Sequence, residues 1–168
     1  MKLAVIIPVY NAENTIRKAV KSIDTTHDVE IICINDGSTD RTKQVLTELQ
    51  KEVKHLIVYH QDNQGAAKSR NMGLSAMSDD IDAFMFLDAD DQFLPGKMDQ
   101  MIQYYEKNDH LDIVIGQIGR GMHGDWKVIP THEDIHREAI VSLAEAPEIL
   151  QSIGPGGKLF KAKFNTLR

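Results

Sequence analysis

Apolar residues fall along this chain in two rhythms. Largely unbroken apolar runs occupy residues 3–7, 29–35, 55–60, 84–87 and 112–116. Without polar alternation, such runs read as strands buried on both faces of a parallel sheet. Between them the apolar positions recur at helical spacing. Ile16, Ala19, Val20 and Ile23 predict a helix over residues 12–24, with Asn11 as its N-cap and Glu13 in its first turn. Thr42, Val45, Leu46 and Leu49 predict a second, residues 66–77 a third, and Met98, Met101, Ile102 and Tyr105 a fourth, which Pro95 can start. Strands alternating with helices at this pitch predict a doubly wound α/β sheet with helices on both faces. The pattern is clean to about Ile118. Beyond it the chain reads as a glycine-rich loop over residues 119–124, a short strand over 126–130, a helix over 144–152 and a return of Lys158-Leu159-Phe160 to the sheet.

The polar residues that close each run carry the chemistry. The first strand opens into Pro8-Val9-Tyr10-Asn11, the second into Asn35-Asp36-Gly37-Ser38-Thr39-Asp40, the third into Asn63-Gln64-Gly65 with Lys68 and Arg70 on the helix behind it. The fourth, Phe84-Met85-Phe86-Leu87, runs straight into Asp88-Ala89-Asp90-Asp91. A buried strand cannot hold three unpaired carboxylates, so these acids belong where the strand leaves the sheet. Strand carboxyl ends share one rim in such a sheet, and ligands bind there. Tyr10 offers a flat ring and a hydroxyl to a base. Asp36 can accept a hydrogen bond from an imide N–H, which uracil presents and adenine does not. Gly37 lets a backbone come close. Lys68 and Arg70 suit phosphate oxygens. Asp88 and Asp90, two apart, point the same way in extended geometry. They suit a hard divalent cation, Mg²⁺ or Mn²⁺, shared with phosphates. The same acids would also serve as a solvated turn capping residues 93–97, and the spacing alone does not choose.

Composition narrows the partners. One domain is expected from 168 residues, and a net charge of −6 argues against nucleic acid as the main partner. Cys33 is the one cysteine, which leaves no intrachain disulfide framework, and it sits in an apolar run as a core thiol. The seven histidines lack zinc-ligand spacing with a cysteine. No segment reaches the ~20 apolar residues of a membrane span, and Pro8 breaks the first apolar run before it resembles a signal peptide. A cytoplasmic protein is expected, held at a membrane, if at all, by other parts of a longer chain. Neither G-x-G-x-x-G nor a Walker A sequence follows a strand.

Four motifs in this order resemble family 2 glycosyltransferases of the GT-A fold: Val5-Ile6-Ile7-Pro8-Val9-Tyr10-Asn11, Asn35 to Asp40, Asn63-Gln64-Gly65 through Arg70-Asn71, and Leu87-Asp88-Ala89-Asp90-Asp91. The resemblance implies a mostly parallel, mixed sheet around a nucleoside diphosphate sugar, UDP-sugar favoured. Residues 1–118 would form the donor-binding part and residues 119–168 part of the acceptor side of one compact domain. It implies that Pro8, Tyr10 and Asp36 hold the base and ribose, that Arg70 faces the nucleotide and diphosphate, and that Asp88 lies near the ribose, with Lys68 and Ala89 as further nucleotide-sugar-binding candidates. Asp90 would reach the metal, with Asp88 and Asp91 as further candidates. Ser69 departs from the alanine the family often carries before the arginine. In the family a segment like Lys158-Leu159-Phe160-Lys161 precedes a Glu-Asp pair whose Asp is the base. No such pair follows before Arg168, and Glu133-Asp134 lies in the wrong order, so Asp134 is a weak candidate. The expected reaction is metal-dependent inverting sugar transfer to a hydroxyl acceptor, a glycan or lipid-linked glycan in cell-surface polysaccharide synthesis. The rival expectation is a nucleotide-sugar-binding module without its own base.

Overall fold

A computed structural model describes residues 1–122, 125–128, 139–141 and 156–163. The expected helix over 144–152 and the Glu133-Asp134 pair lie outside the described residues. The strands are β1 (Lys2–Val9), β2 (Asp28–Asp36), β3 (Leu56–Gln61), β4 (Ala83–Phe86), β5 (Ile113–Ile115), β6 (Gly119–Met122), β7 (Asp125–Val128) and β8 (Lys158–Lys161). The helices are α1 (Ile16–Lys21), α2 (Thr42–Glu52), α3 (Ala66–Ala76) and α4 (Lys97–Lys107).

Six strands form one sheet in the order β3-β2-β1-β4-β8-β5. β1 pairs in parallel with β2 and β4, and β2 with β3. β8 runs antiparallel between β4 and β5, so the sheet is mixed, and Lys158-Leu159-Phe160 does return to it. The strand order moves outward from β1 to β3, then jumps back past β1 to β4. Parallel crossovers are right-handed, so reversing their direction moves the helix to the other face. α1 and α2 accordingly pack on one face and α3 on the other. α4 joins α1, tied by a hydrogen bond from Thr25 Oγ1 to Asp99.

The alternation of side chains along each strand divides the core in two. Leu3, Val5, Ile7, Ile31, Cys33 and Met85 meet Ile16, Val20, Leu46, Leu49, Met98 and Ile102. Ala4, Ile6, Ile32, Ile34, Phe84 and Phe86 meet α3 on the opposite face. Cys33 is fully buried, and desolvation pushes its thiol up to about 12, as fits an inert core residue.

Three sequence expectations are corrected. α1 begins at Ile16 rather than Ala12, and Asn11 does not cap it. The Ala12 and Glu13 N–H groups donate instead to Thr42 Oγ1 and Asp40 Oδ2, partners distant in sequence. α4 begins at Lys97 because Gly96 is left-handed (φ 71°) and cannot lie inside a helix. The glycine-rich stretch from Gly119 is no loop: Gly119–Met122 pairs antiparallel with β7 as a two-stranded ribbon.

α3 lies close on β1. A Cβ at Gly73 would sit 2.3 Å from Ile6 Cγ2, inside a packed core. Gly73→Ala therefore overpacks the α3 face and destabilises the fold by about 2 kcal/mol despite alanine's better helix propensity, as chemical denaturation will measure.

Candidate active site

The rim at the carboxyl ends of β1, β2, β3 and β4 gathers the residues singled out from the sequence. The reversal of strand order between β1 and β4 opens the sheet there, where a ligand can enter. Pro8 lies half-buried in β1, opposite Ile34 of β2. Tyr10, just beyond β1, is 52% exposed, so it is no core residue and its ring is free to contact a ligand.

Asp36 ends β2 and is only 3% exposed. Its Oδ1 accepts from Gln61 Nε2 at 2.6 Å and from the Gln64 N–H at 2.8 Å, and its Oδ2 from the Gly65 N–H at 2.8 Å. Desolvation opposes its ionisation. The hydrogen bonds from Gln61, Gln64 and Gly65, with the nearby Ser69 hydroxyl, outweigh that and hold the carboxyl below the usual range. Gly37 (φ 70°) does allow a close approach, but the backbone that approaches is the chain's own: a Cβ there would meet the Asn63 nitrogen at 2.8 Å.

A second network ties the β1–α1 turn to the β2–α2 turn. Asn11, itself left-handed (φ 47°), donates its N–H to Ser38 Oγ and accepts from the Thr39 N–H. Glu13 accepts from the Arg41 N–H and Nε. Asp40 accepts from the Glu13 and Thr42 N–H groups. Burial opposes Asp40's ionisation, and bonds from Thr42 and Glu13 reverse that and lower its pKa. These hydrogen bonds fix the loop that bears Tyr10.

The acidic stretch is a turn. β4 stops at Phe86, and the Asp91 N–H donates to the Asp88 carbonyl at 3.0 Å. Asp88 and Asp90 therefore do not share a face by strand alternation, contrary to expectation. Asp88 turns to Arg70 Nη2 in a salt bridge of 2.5 Å, while Asp90 and Asp91 face solvent. Ala89 packs against the core between them. Desolvation and the charges of Asp90 and Asp88 raise the pKa of Asp91. Arg70 lies over the Phe86 ring, 6.0 Å from its centroid, and its buried Nε has no hydrogen-bond partner among the described residues. An unmet buried donor is costly and suits an anionic ligand. Lys68, two positions earlier on α3 and therefore on a different face of the helix, is exposed and has no ion pair among the described residues.

The structure thus joins Arg70 to Asp88 directly and joins Asp36 to α3 through Gln61 and Ser69. Among the described residues the side chains of Tyr10, Lys68, Asp90 and Asp91 have no partner. Gln61 and Ser69 were not recognised from the sequence as part of the site. Gln61 ends β3 opposite Asp36, and that register is the signal that would have marked it. Among the described residues no three His, Cys, Asp or Glu side chains converge as a closed metal cage. Two exposed carboxylates in an acidic turn fit a hard cation whose remaining ligands come from a bound phosphate. Two clefts at the opposite edge, of about 190 and 420 Å³, are lined by Lys2, Asp28 and Glu30 and by Asp82, Tyr105 and Lys161, and lack this chemistry.

Comparisons with known proteins agree with this geometry. The sequence profile described as Glycosyl transferase family 2 matches residues 4–164. TagX of Staphylococcus aureus (strain MRSA252), a glycosyltransferase by name, is 40% identical over 172 residues, covering 100% of this chain and 49% of its own. An uncharacterized glycosyltransferase of Nostoc sp. (strain PCC 7120) is 36% identical over 125 residues, 69% of this chain and 38% of its own. The chain spans about half the length of the curated TagX relatives it matches. S. aureus TarS, residues 1–349, in complex with UDP-GlcNAc, superposes with a TM-score of 0.81 at 23% identity, covering 99% of this chain and 47% of that one. The mannosyltransferase PcManGT of Pyrobaculum calidifontis, in complex with GDP-Man and Mn2+, superposes at 0.62 with 17% identity over 70% of this chain and 35% of that one. The fold is the GT-A arrangement. No helix of the described residues is long and apolar enough to cross a membrane.

Asp36 and Asp40 titrate lower in the folded chain than unfolded. The stability they contribute is full above their ordinary value of 3.8 and is lost as pH falls through their folded values. Asp40→Ala should cost about 1 kcal/mol near neutral pH, as loss of hydrogen bonds to a charged group does, and the cost should shrink in acid. Urea denaturation of both proteins across that range checks it.

Proposed function

The chain belongs to glycosyl transferase family 2, and we propose on that premise that its rim binds a nucleoside diphosphate sugar, with a UDP-sugar favoured. The observation that carries this reading is Arg70: a cation at the switch between β1 and β4, already paired with Asp88, whose buried Nε still lacks an acceptor. A diphosphate oxygen supplies that acceptor. Lys68, exposed on the same helix, adds a second positive charge. Tyr10 lies against the base and Pro8 shapes the floor below it. Asp36, fixed as a carboxylate, accepts the imide N–H of uracil. Asp88 and Ala89 border the ribose.

Asp90, with Asp88 and Asp91 beside it, would hold Mn²⁺ or Mg²⁺ together with the diphosphate. The cation would supply Lewis-acid stabilisation of the leaving nucleotide. A cation there also offsets the desolvation and the neighbouring negative charges that raise the pKa of Asp91. Arg70 stabilises the same developing charge from the other side by hydrogen bonds fixed before reaction.

The whole protein then transfers the sugar, with inversion, to a hydroxyl acceptor, a glycan or lipid-linked glycan of the cell surface. It works on the cytoplasmic side of a membrane. Ligands of the proposed donor class occupy two solved proteins of the same fold, which supports the choice of donor.

Calorimetric titration with UDP, with and without Mn²⁺, tests the donor site, with GDP as control. UDP binding should strengthen with Mn²⁺, and Asp90→Ala should abolish that gain. Tyr10→Ala should weaken UDP binding roughly tenfold, in line with a lost base–aromatic stack. Unchanged UDP affinity in Tyr10→Ala and Asp36→Ala would remove both residues from the site.

A further inference from the structure

We infer that Gln61 and Ser69 are positioning residues that present Asp36 to a single N–H donor of the bound base, an inference that rests on the nucleotide-binding reading of the rim. Asp36 and Gln61 end neighbouring parallel strands in register. The Gln61 amide nitrogen has two hydrogens. One goes to Asp36 Oδ1 at 2.6 Å and the other to Ser69 Oγ at 3.2 Å. Ser69 is fully buried, and its own hydroxyl donates to the Gly65 carbonyl at 3.2 Å. Gly65 returns its N–H to Asp36 Oδ2, which closes a ring of hydrogen bonds through β2, β3 and the start of α3.

The ring has one consistent polarity. Turning the Gln61 amide over would set its oxygen against the Asp36 carboxylate, and Ser69 then has no donor to accept from. Gln61 and the Gln64 and Gly65 N–H groups also fix the plane of the carboxylate, because they approach it on both oxygens. A carboxylate offers about four lone-pair directions. Oδ1 accepts two hydrogen bonds and Oδ2 one, with the Ser69 hydroxyl turned to Gly65. The remaining direction, on Oδ2, is the one a bound base would take in place of the nearby Ser69 hydroxyl. A fixed, ionised acceptor with one opening selects a base that presents an imide N–H. It disfavours one that presents a lone pair at the same place.

Gln61 therefore acts on the base through Asp36, and Ser69 acts through Gln61. Neither side chain need touch the ligand. Glutamine is required rather than glutamate, because a second carboxylate at the same place would compete with Asp36 for a proton.

Two readouts on the full chain test this. The first is the titration midpoint of the Asp36 carboxyl carbon, followed by NMR without ligand. The second is UDP affinity by calorimetry at about pH 7.5 and about pH 5. Gln61→Leu should raise the Asp36 midpoint, weaken UDP binding roughly tenfold near neutral pH, as loss of a bond to a charged group does, and weaken it further in acid. Gln61→Glu should raise the midpoint more. Ser69→Ala should raise it less than Gln61→Leu while leaving thermal stability nearly unchanged. An Asp36 midpoint unmoved in both Gln61→Leu and Ser69→Ala overturns the inference. So does an affinity loss that is equal at both pH values, since that is what a general loosening of the loop produces. If the midpoint moves but the unaltered chain binds no UDP, the ring is real and the nucleotide reading fails, taking the positioning role with it.

Discussion

A carboxylate taken out of water must be given donors or it will not stay charged. Asp36 is the place where this chain meets that requirement, and much of the rim follows from how it does so. Its three donors come from Gln61 at the end of β3 and from two consecutive N–H groups just beyond it. Meeting the charge therefore fixes the course of the loop over Asn63, Gln64 and Gly65. That course sets where α3 begins. The start of α3 in turn carries Arg70 to Asp88, across the opening between β1 and β4. Ionisation of one buried group is thus linked through backbone geometry to the placement of the cation on the far side of the rim.

The acidic turn works by the opposite arrangement. Asp90 and Asp91 are left exposed and close to like charge, without protein cations to neutralise them among the described residues. Asp88 alone is paired. One rim therefore holds a carboxylate stabilised as an anion at one end, Asp36, and one disfavoured as an anion at the other, Asp91. The first suits a hydrogen-bond donor and the second a metal cation. Between them lies Arg70, supported from below by the Phe86 ring, which itself meets Phe160 of β8 edge-on at 6.1 Å.

The fold was legible in the sequence wherever burial sets the pattern. The continuous apolar runs of β1, β2 and β4 and the stripes of α2 and α4 are imposed by the two-sided core, so periodicity alone recovers them. Where side chains from another loop satisfy the backbone, periodicity fails. Ile16 to Ile23 has the right spacing for a helix from Ala12, yet residues 12–15 form a turn held by Thr42 and Asp40 of another loop, and the helix proper starts at Ile16. No local pattern reports a partner thirty positions away. The site divides along the same line. Tyr10, Asp36, Arg70 and the acids were visible because their chemistry is unusual at strand ends. Gln61 and Ser69 were not, because an amide and a hydroxyl are ordinary in a loop until their partners are known. The extended geometry assumed for Asp88 and Asp90 was wrong because strand pairing ends at Phe86.

The insertion of β8 between β4 and β5 bears on how the chain acquires its shape. β1, β2, β3 and β4 can assemble from contacts among the first 86 residues, with β1 in the middle. Among the described residues β5 pairs with no strand but β8, so its place in the sheet stays undefined until Lys158–Lys161 arrives from more than forty residues further on. Closing so large a loop before any contact rewards it is slow. During synthesis the β1–β4 half, with most of the rim on it, is set first. The second half waits as a free strand with α4 attached, and until β8 docks, the outer edge of β4 is an open template for pairing.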